Sequence, residues 1–93
     1  MIKEHAINER IARFKSDLEG QAVLTPTQKT NLVEGFVSDI EDILRHLIHT
    51  ISVVRNGFGD GFIVISYLIK EELITKIVLL EEGRVNEYQN NSV

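Results

Sequence analysis

A chain of 93 residues, with 43% apolar and 26% charged residues, has the composition of one small folded domain and can bury only one hydrophobic core. It contains no cysteine, which excludes disulfide bonds, thiolate catalysis and cysteine-ligated metal sites. The formal net charge is −4 with no basic block, and nucleic-acid binding is therefore disfavoured because it depends on clustered Lys and Arg side chains.

The first predicted element is an amphipathic helix over residues 2–18. Its apolar residues recur three or four positions apart, which places them on one side of a helix; they are Ile2, Ile7, Ile11, Phe14 and Leu18. Gly20 follows the last of them and fits the position just beyond a helix C-terminus. The segment thus predicts one helix with a single face towards a core.

The second predicted helix has a strong start signal. Thr25, Pro26 and Gln28 have the residue types and spacing of a capping box with proline in the first turn. Apolar residues then recur without interruption as far as Val54, which predicts a helix of about 43 Å at 1.5 Å per residue. A compact domain of this length has a radius of gyration of only about 12–13 Å, so the helix either bends or pairs with a second copy.

The apolar stripe of this second helix is the predicted interface between two copies of the chain. Its spacing alternates between four and three residues, as in helices that pair with one another. The predicted interface residues are Val33, Val37, Ile40, Leu44, Leu47 and Ile51.

The C-terminal part of the chain has a different pattern. Residues 55–61 contain three glycines and predict a loop. Residues 62–69 are rich in β-branched and aromatic side chains and predict a strand. Residues 73–80 fit a helix or a strand, but Gly83 fits the left-handed position of a hairpin turn, with a returning strand from Arg84 to Tyr88.

The predicted fold is α+β, with two N-terminal helices, the second one long, followed by a small antiparallel β-meander. The chain forms a single domain over residues 1–93. Its predicted parts are a helical half (2–54), a glycine loop (55–61), a β-rich half (62–88) and a polar tail (89–93). The alternative is an all-α protein with a third helix over about residues 62–82.

One group of polar residues on the second helix could bind a metal ion. Asp42, His46 and His49 follow at helical spacing, as does Asp39, so the pattern would place carboxylate and imidazole groups on one side. The same spacing is typical of a solvent-exposed helix face. A small-ligand-binding or metal-binding protein that uses this face is the alternative function.

The leading functional prediction is a non-enzymatic interaction protein that needs no cofactor. We expect it to be an oligomeric regulator or inhibitor of a protein partner, as phage-encoded inhibitors and bacterial adaptors are, because so aliphatic a chain leaves apolar surface after folding. The predicted location is the cytoplasm, or the host cytoplasm for a phage protein. The charged first residues do not resemble a signal peptide, and the longest apolar run has eight residues, whereas a membrane span needs about 20.

Overall fold

A computed structural model describes residues 3–20, 24–57, 60–81 and 83–92. It contains the helices α1 (Lys3–Glu19) and α2 (Pro26–Leu44), followed by the strands β1 (His49–Arg55), β2 (Gly61–Ile69), β3 (Glu72–Glu81) and β4 (Arg84–Ser92). The strands form one antiparallel sheet in the order β1-β2-β3-β4. The α+β prediction, with two N-terminal helices and a β-meander, is confirmed, and the all-α alternative is wrong.

The two helices pack side by side against one face of the sheet. α1 contacts α2 and β4, and α2 also contacts β1. Phe14 of α1 and Phe36 of α2 stack on each other, with their ring centroids 4.6 Å apart. The buried apolar residues of this single core are Ile7, Ile11, Phe14, Leu18, Val33, Phe36, Ile40, Leu44, Ile63, Ile65, Tyr67, Ile74, Val78, Leu80 and Val85.

The predicted capping box is present at the start of α2. The Thr25 hydroxyl accepts a hydrogen bond from the Gln28 backbone N–H (3.1 Å), and the Gln28 side chain accepts one from the Thr25 N–H (2.9 Å). These two bonds satisfy backbone donors that a helix N-terminus leaves unpaired.

The predicted extension of this helix to Val54 is wrong, because α2 ends at Leu44. The Leu47 N–H bonds to the Leu44 carbonyl in a tight turn (2.7 Å), and His49–Arg55 form β1. The segment is rich in β-branched residues, which favour strands, and the loop after it lets the chain fold back so that Val54 pairs with Phe62. The predicted helical half (2–54) therefore contains a strand.

The glycine loop is a hairpin within the sheet rather than a boundary between two halves. It joins β1 to β2, and Asn56 donates a backbone hydrogen bond to the Asp60 carbonyl (2.8 Å). A Cβ atom on Gly61 would collide with the Val54 carbonyl oxygen, so this position requires glycine. The phosphate-binding role that glycine-rich loops serve before a helix does not apply, since a strand follows here.

The other two hairpins have short turns. Lys70 and Glu71 join β2 to β3, and both have positive φ angles, of 50° and 68°. Gly83 has a φ of 75° between β3 and β4, which confirms the predicted left-handed glycine, while Glu82 lies outside the described residues. The predicted polar tail from residue 89 is wrong as far as Ser92, because that segment continues β4; Val93 lies outside the described residues.

Candidate interaction surfaces

The predicted interface residues do not form one surface. Val33, Ile40 and Leu44 are at most 3% exposed and belong to the protein's own core, which corrects their assignment to an interface between copies. Val37 is partly buried on α2, and Leu47 and Ile51 are partly buried beyond the end of the helix. The stripe therefore packs within the chain.

The predicted metal-binding residues are not brought together as a site. Asp42 lies on α2, His46 follows the end of the helix and His49 begins β1, so the helical spacing that linked them does not exist. His49 Nδ1 lies 2.8 Å from the Leu47 carbonyl oxygen, and His46 Nε2 accepts a hydrogen bond from Arg45 Nε (3.3 Å). Within the described ranges, no group of three or more His, Asp or Glu residues could hold a metal ion.

The sheet face that points away from the helices is largely apolar, and no element among the described residues covers it. We call it the outer face. Its apolar side chains, which the strand pairing places side by side, are Val54, Phe62, Val64, Leu68, Leu73, Ile77, Leu79 and Tyr88. Those at its margins are 38% to 56% exposed, as shown by Val54, Phe62, Leu73 and Tyr88. A contiguous apolar surface of this kind is characteristic of a contact with another molecule.

Two pairs of polar residues on the outer face lie opposite each other on neighbouring strands. Near its centre, the hydroxyls of Ser66 and Thr75 lie 3.3 Å apart across β2 and β3. At one corner, Glu81 and Arg84 are cross-strand partners of opposite charge. The face therefore carries no net charge from these residues.

The sequence signal for the outer face is the nearly continuous apolar run of β2, which Ser66 interrupts. A half-exposed antiparallel strand normally alternates apolar and polar residues, whereas a strand covered on both faces is apolar throughout. In β2, Ile63 and Ile65 face the helices while Phe62 and Val64 face outwards. Sequence reasoning detected surplus apolar surface but assigned it to α2, because the helix was extended too far.

A second exposed feature is the free edge of the sheet at β1. Among the described strands only β2 pairs with β1. The strand contains no proline or glycine and carries exposed Val53 (42%) and Val54 (50%). Charged side chains, proline or bulges usually protect a strand edge from further pairing. The middle of β1 has none of these.

A groove of about 430 Å³ lies between this edge strand and α2. Its apolar lining is Val33, Val37 and Val53, and its polar lining is Glu34, Ser38, Glu41 and Arg55. The Arg55 guanidinium donates a hydrogen bond to the Thr30 hydroxyl (2.9 Å), which holds it at the end of the groove near the start of α2. The α2 wall is therefore acidic, and one end is basic.

The helix-facing side of the sheet also contains a buried cation, Lys76. Its ammonium group hydrogen-bonds to the Gln89 side chain and lies 3.6 Å from a Glu87 oxygen and 3.9 Å from a Glu4 oxygen. Gln89 also donates to Glu4. Buried charges are tolerated when they are paired and hydrogen-bonded. We interpret this cluster as a set of polar contacts that holds α1 against β4.

Tyr67 lies close to these carboxylates and is fully buried. Burial, with smaller contributions from the negative charges of Glu4 and Glu87, raises its pKa to about 12. Its hydroxyl has no hydrogen-bond partner among the described residues. Because the phenol is neutral near pH 7 and enclosed, this arrangement favours a structural role.

Of the described helices, neither has the length and apolar character needed to cross a membrane. Comparison of the chain with models of protein families, with curated proteins and with solved structures finds no match in any of the three. The outer face and the groove between β1 and α2 are therefore the features of this chain that point to a function.

Proposed function

We propose that this protein is a non-enzymatic interaction protein that forms a homodimer through the outer face and regulates or inhibits a protein partner. The observation that carries the proposal is the apolar face of the sheet, which no described element covers. Burial of apolar surface stabilises an association by about 25 cal/mol per Å² before the costs of association. The cytoplasm remains the predicted location.

The size of the outer face is sufficient for a dimer. The strands have 7 to 10 residues, which is about 23–34 Å, and at about 4.8 Å spacing the four together present roughly 550 Å² on one face. Two such faces together would bury roughly 1,100 Å², slightly more than the approximately 1,000 Å² expected of a specific interface. Two sheets stacked in this way would lie about 10 Å apart.

The charge of the outer face favours a second copy as its partner. A symmetric dimer places each residue of the face near the same face of the other protomer, so a strongly charged surface would repel itself. Here the Glu81–Arg84 pair is neutral overall, and the central Ser66 and Thr75 hydroxyls already bond to each other. The face can therefore lose its water without leaving unpaired charge.

The test is to change two central residues of the outer face, Ile77→Lys and Leu79→Lys, and to measure mass by light scattering after size-exclusion chromatography. We expect twice the 10.6 kDa mass of one chain for the unmodified protein and a monomer for the double variant. Two buried ammonium groups without partners would oppose the interface. Ala12→Lys, on the exposed side of α1, is the matched control and should stay dimeric.

Circular dichroism separates loss of association from loss of folding. If the lysine variant unfolds, Ile77→Thr with Leu79→Thr replaces it, because threonine is β-branched and favours a strand at both positions. A monomeric unmodified protein at about 0.5 mM would contradict the dimer, because an interface near the roughly 1,000 Å² minimum should be populated there.

A further inference from the structure

We propose that the groove between α2 and β1 binds an extended segment of a partner protein, which adds to the sheet as a fifth strand and carries basic side chains towards α2. The proposal relies on the proposed function in assuming a protein partner, but it concerns a different surface. Its test can therefore fail while the dimer through the outer face stands.

The direction of the β1 backbone groups follows from two hydrogen bonds that flank the strand. Leu68 N–H donates to the Ile48 carbonyl (3.0 Å), and Asn56 N–H donates to the Asp60 carbonyl (2.8 Å). In an antiparallel pair, residues bonded to the neighbouring strand alternate with residues whose N–H and C=O groups point away from it. The even-numbered residues of β1 therefore bond to β2.

Ile51 and Val53 consequently direct their backbone N–H and C=O groups out of the sheet edge. A strand placed beside β1 could form hydrogen bonds with the N–H and the C=O of each of these two residues, which lie two positions apart. The side chains of the same two residues lie on the helix-facing side, with Val53 in the groove. Side chains of the added strand that point the same way would face α2.

The chemistry of the partner follows from the α2 wall of the groove. Glu34 and Glu41 are seven residues apart, which is about 10.5 Å along the helix axis, and Val37 lies between them. Side chains on one face of an extended strand repeat every 6.6–6.8 Å. A segment with an apolar side chain flanked two residues away by Lys or Arg would place its apolar group near Val37 and its cations near the two carboxylates.

The same wall disfavours a second copy of this chain at the β1 edge. Two β1 strands paired about a twofold axis would bring the α2 helix of each protomer towards that of the other. Glu34 and Glu41 would then face carboxylates of the same sign, and like charges across an interface oppose association. The acidic groove thus fits a basic partner strand, whereas the neutral outer face fits a second copy.

A peptide of about nine residues tests this inference, with Lys–Val–Lys at alternate positions and Thr between them. We expect saturable binding by fluorescence anisotropy. Protection of the Ile51 and Val53 amides from hydrogen exchange should accompany it. Glu34→Lys with Glu41→Lys should weaken binding about tenfold and favour a peptide with Glu in place of Lys, because two attractions become repulsions.

The backbone contribution is tested by Val53→Pro, with Val53→Thr as the matched control. The Val53 N–H points away from β2, so proline removes a donor to the added strand without breaking the existing ladder. We expect at least a fivefold loss of peptide affinity for Val53→Pro and a smaller one for Val53→Thr. If the proline variant unfolds, an N-methylated peptide, which lacks the matching donors, replaces it and should bind at least fivefold more weakly.

Three results would overturn the proposal. The first is no binding at millimolar peptide, and the second is binding that neither charge reversal nor the loss of backbone donors weakens. The third is protection of the Ile51 and Val53 amides that grows with protein concentration when no peptide is present, because that would show β1 pairing with a second copy. None of these depends on the dimer through the outer face, which the mass measurement tests separately.

Discussion

Tyr67 combines full burial with a hydroxyl that has no hydrogen-bond partner among the described residues. A buried polar group without a partner costs about 1–3 kcal/mol. We therefore predict that Tyr67→Phe raises the free energy of unfolding by about 1 kcal/mol near pH 7, because the ring still packs and the unpaired hydroxyl is lost. Urea denaturation of the two proteins measures the difference. A loss of stability would show that the hydroxyl has a bonding partner after all.

Tyr67 should also make the stability of the protein depend on pH. The Tyr67 pKa is about 12 in the folded protein and about 10 in an unfolded chain, so the unfolded state loses this proton first. The stabilisation that this pKa difference gives the folded state is complete below pH 10. It is lost as the pH rises towards 12, and the free energy of unfolding then falls by at most about 2–3 kcal/mol. The difference between Tyr67→Phe and the unmodified protein should therefore widen across this range. A constant difference from pH 9 to 12 would contradict the prediction.

Lys76 shows which residue-scale features sequence reasoning missed. Alternation along β3 puts Lys76 on the same face as Ile74 and Val78, which gives a weak signal that a cation faces the core. Its partners are Glu4 on α1 and Glu87 and Gln89 on β4. These residues meet only after the helix layer has packed on the sheet, and no local pattern identifies them.

The hairpin between β2 and β3 is an element that its own turn residues disfavour. Both residues of the two-residue turn, Lys70 and Glu71, have positive φ, and non-glycine residues pay about 1–2 kcal/mol for that conformation. Asn followed by Gly is the preferred pair in such turns. We predict that Lys70→Asn with Glu71→Gly stabilises the protein by about 1–2 kcal/mol.

Thermal or urea unfolding of the hairpin variant measures this gain. The matched control is Lys70→Ala with Glu71→Ala, which removes the same two charges without relieving the backbone strain, and it should not be stabilised. Equal stabilisation of both variants would attribute the effect to charge instead of to the turn.

The features that could be predicted from the sequence are those that depend on a few neighbouring residues. The capping box at Thr25 and the left-handed Gly83 were both predicted from residue types at particular positions, and both occur in the structure. β1 was missed because Leu47, Ile51 and Val54 continue the helical apolar spacing of α2. What decides against the helix is the pairing of His49–Arg55 with β2, a tertiary contact that overrides the local pattern.

At the scale of the molecule, the two helices and four strands that the structure describes form two layers. The described helices cover one face of the sheet, and no described element covers the other. Surplus apolar surface was predictable from composition, since so short a chain cannot bury all of it. The location of this apolar surface was not predictable, because it depends on where α2 ends. Because β1 was not predicted, the edge of the sheet was not predicted either. The same holds for the groove that forms where β1 packs against α2.

The proposed dimer through the outer face would have a thermodynamic consequence that can be measured without any mutation. If folding and association are coupled, the unfolding temperature rises with protein concentration, because each dimer that unfolds releases two chains. An unfolding enthalpy of about 0.7 kcal/mol per residue gives roughly 130 kcal/mol per dimer, so each tenfold increase in concentration should raise the unfolding temperature by about 3–4 °C.

Differential scanning calorimetry across a hundredfold concentration range measures this dependence. The unmodified protein should shift by about 6–8 °C over that range, whereas the monomer expected from Ile77→Lys with Leu79→Lys should not shift. Val53→Pro should shift as the unmodified protein does, since it alters only the edge groove. If the shift vanished in Val53→Pro and persisted in the lysine variant, the self-association surface would be the edge of β1, and the assignment of the two surfaces would be reversed.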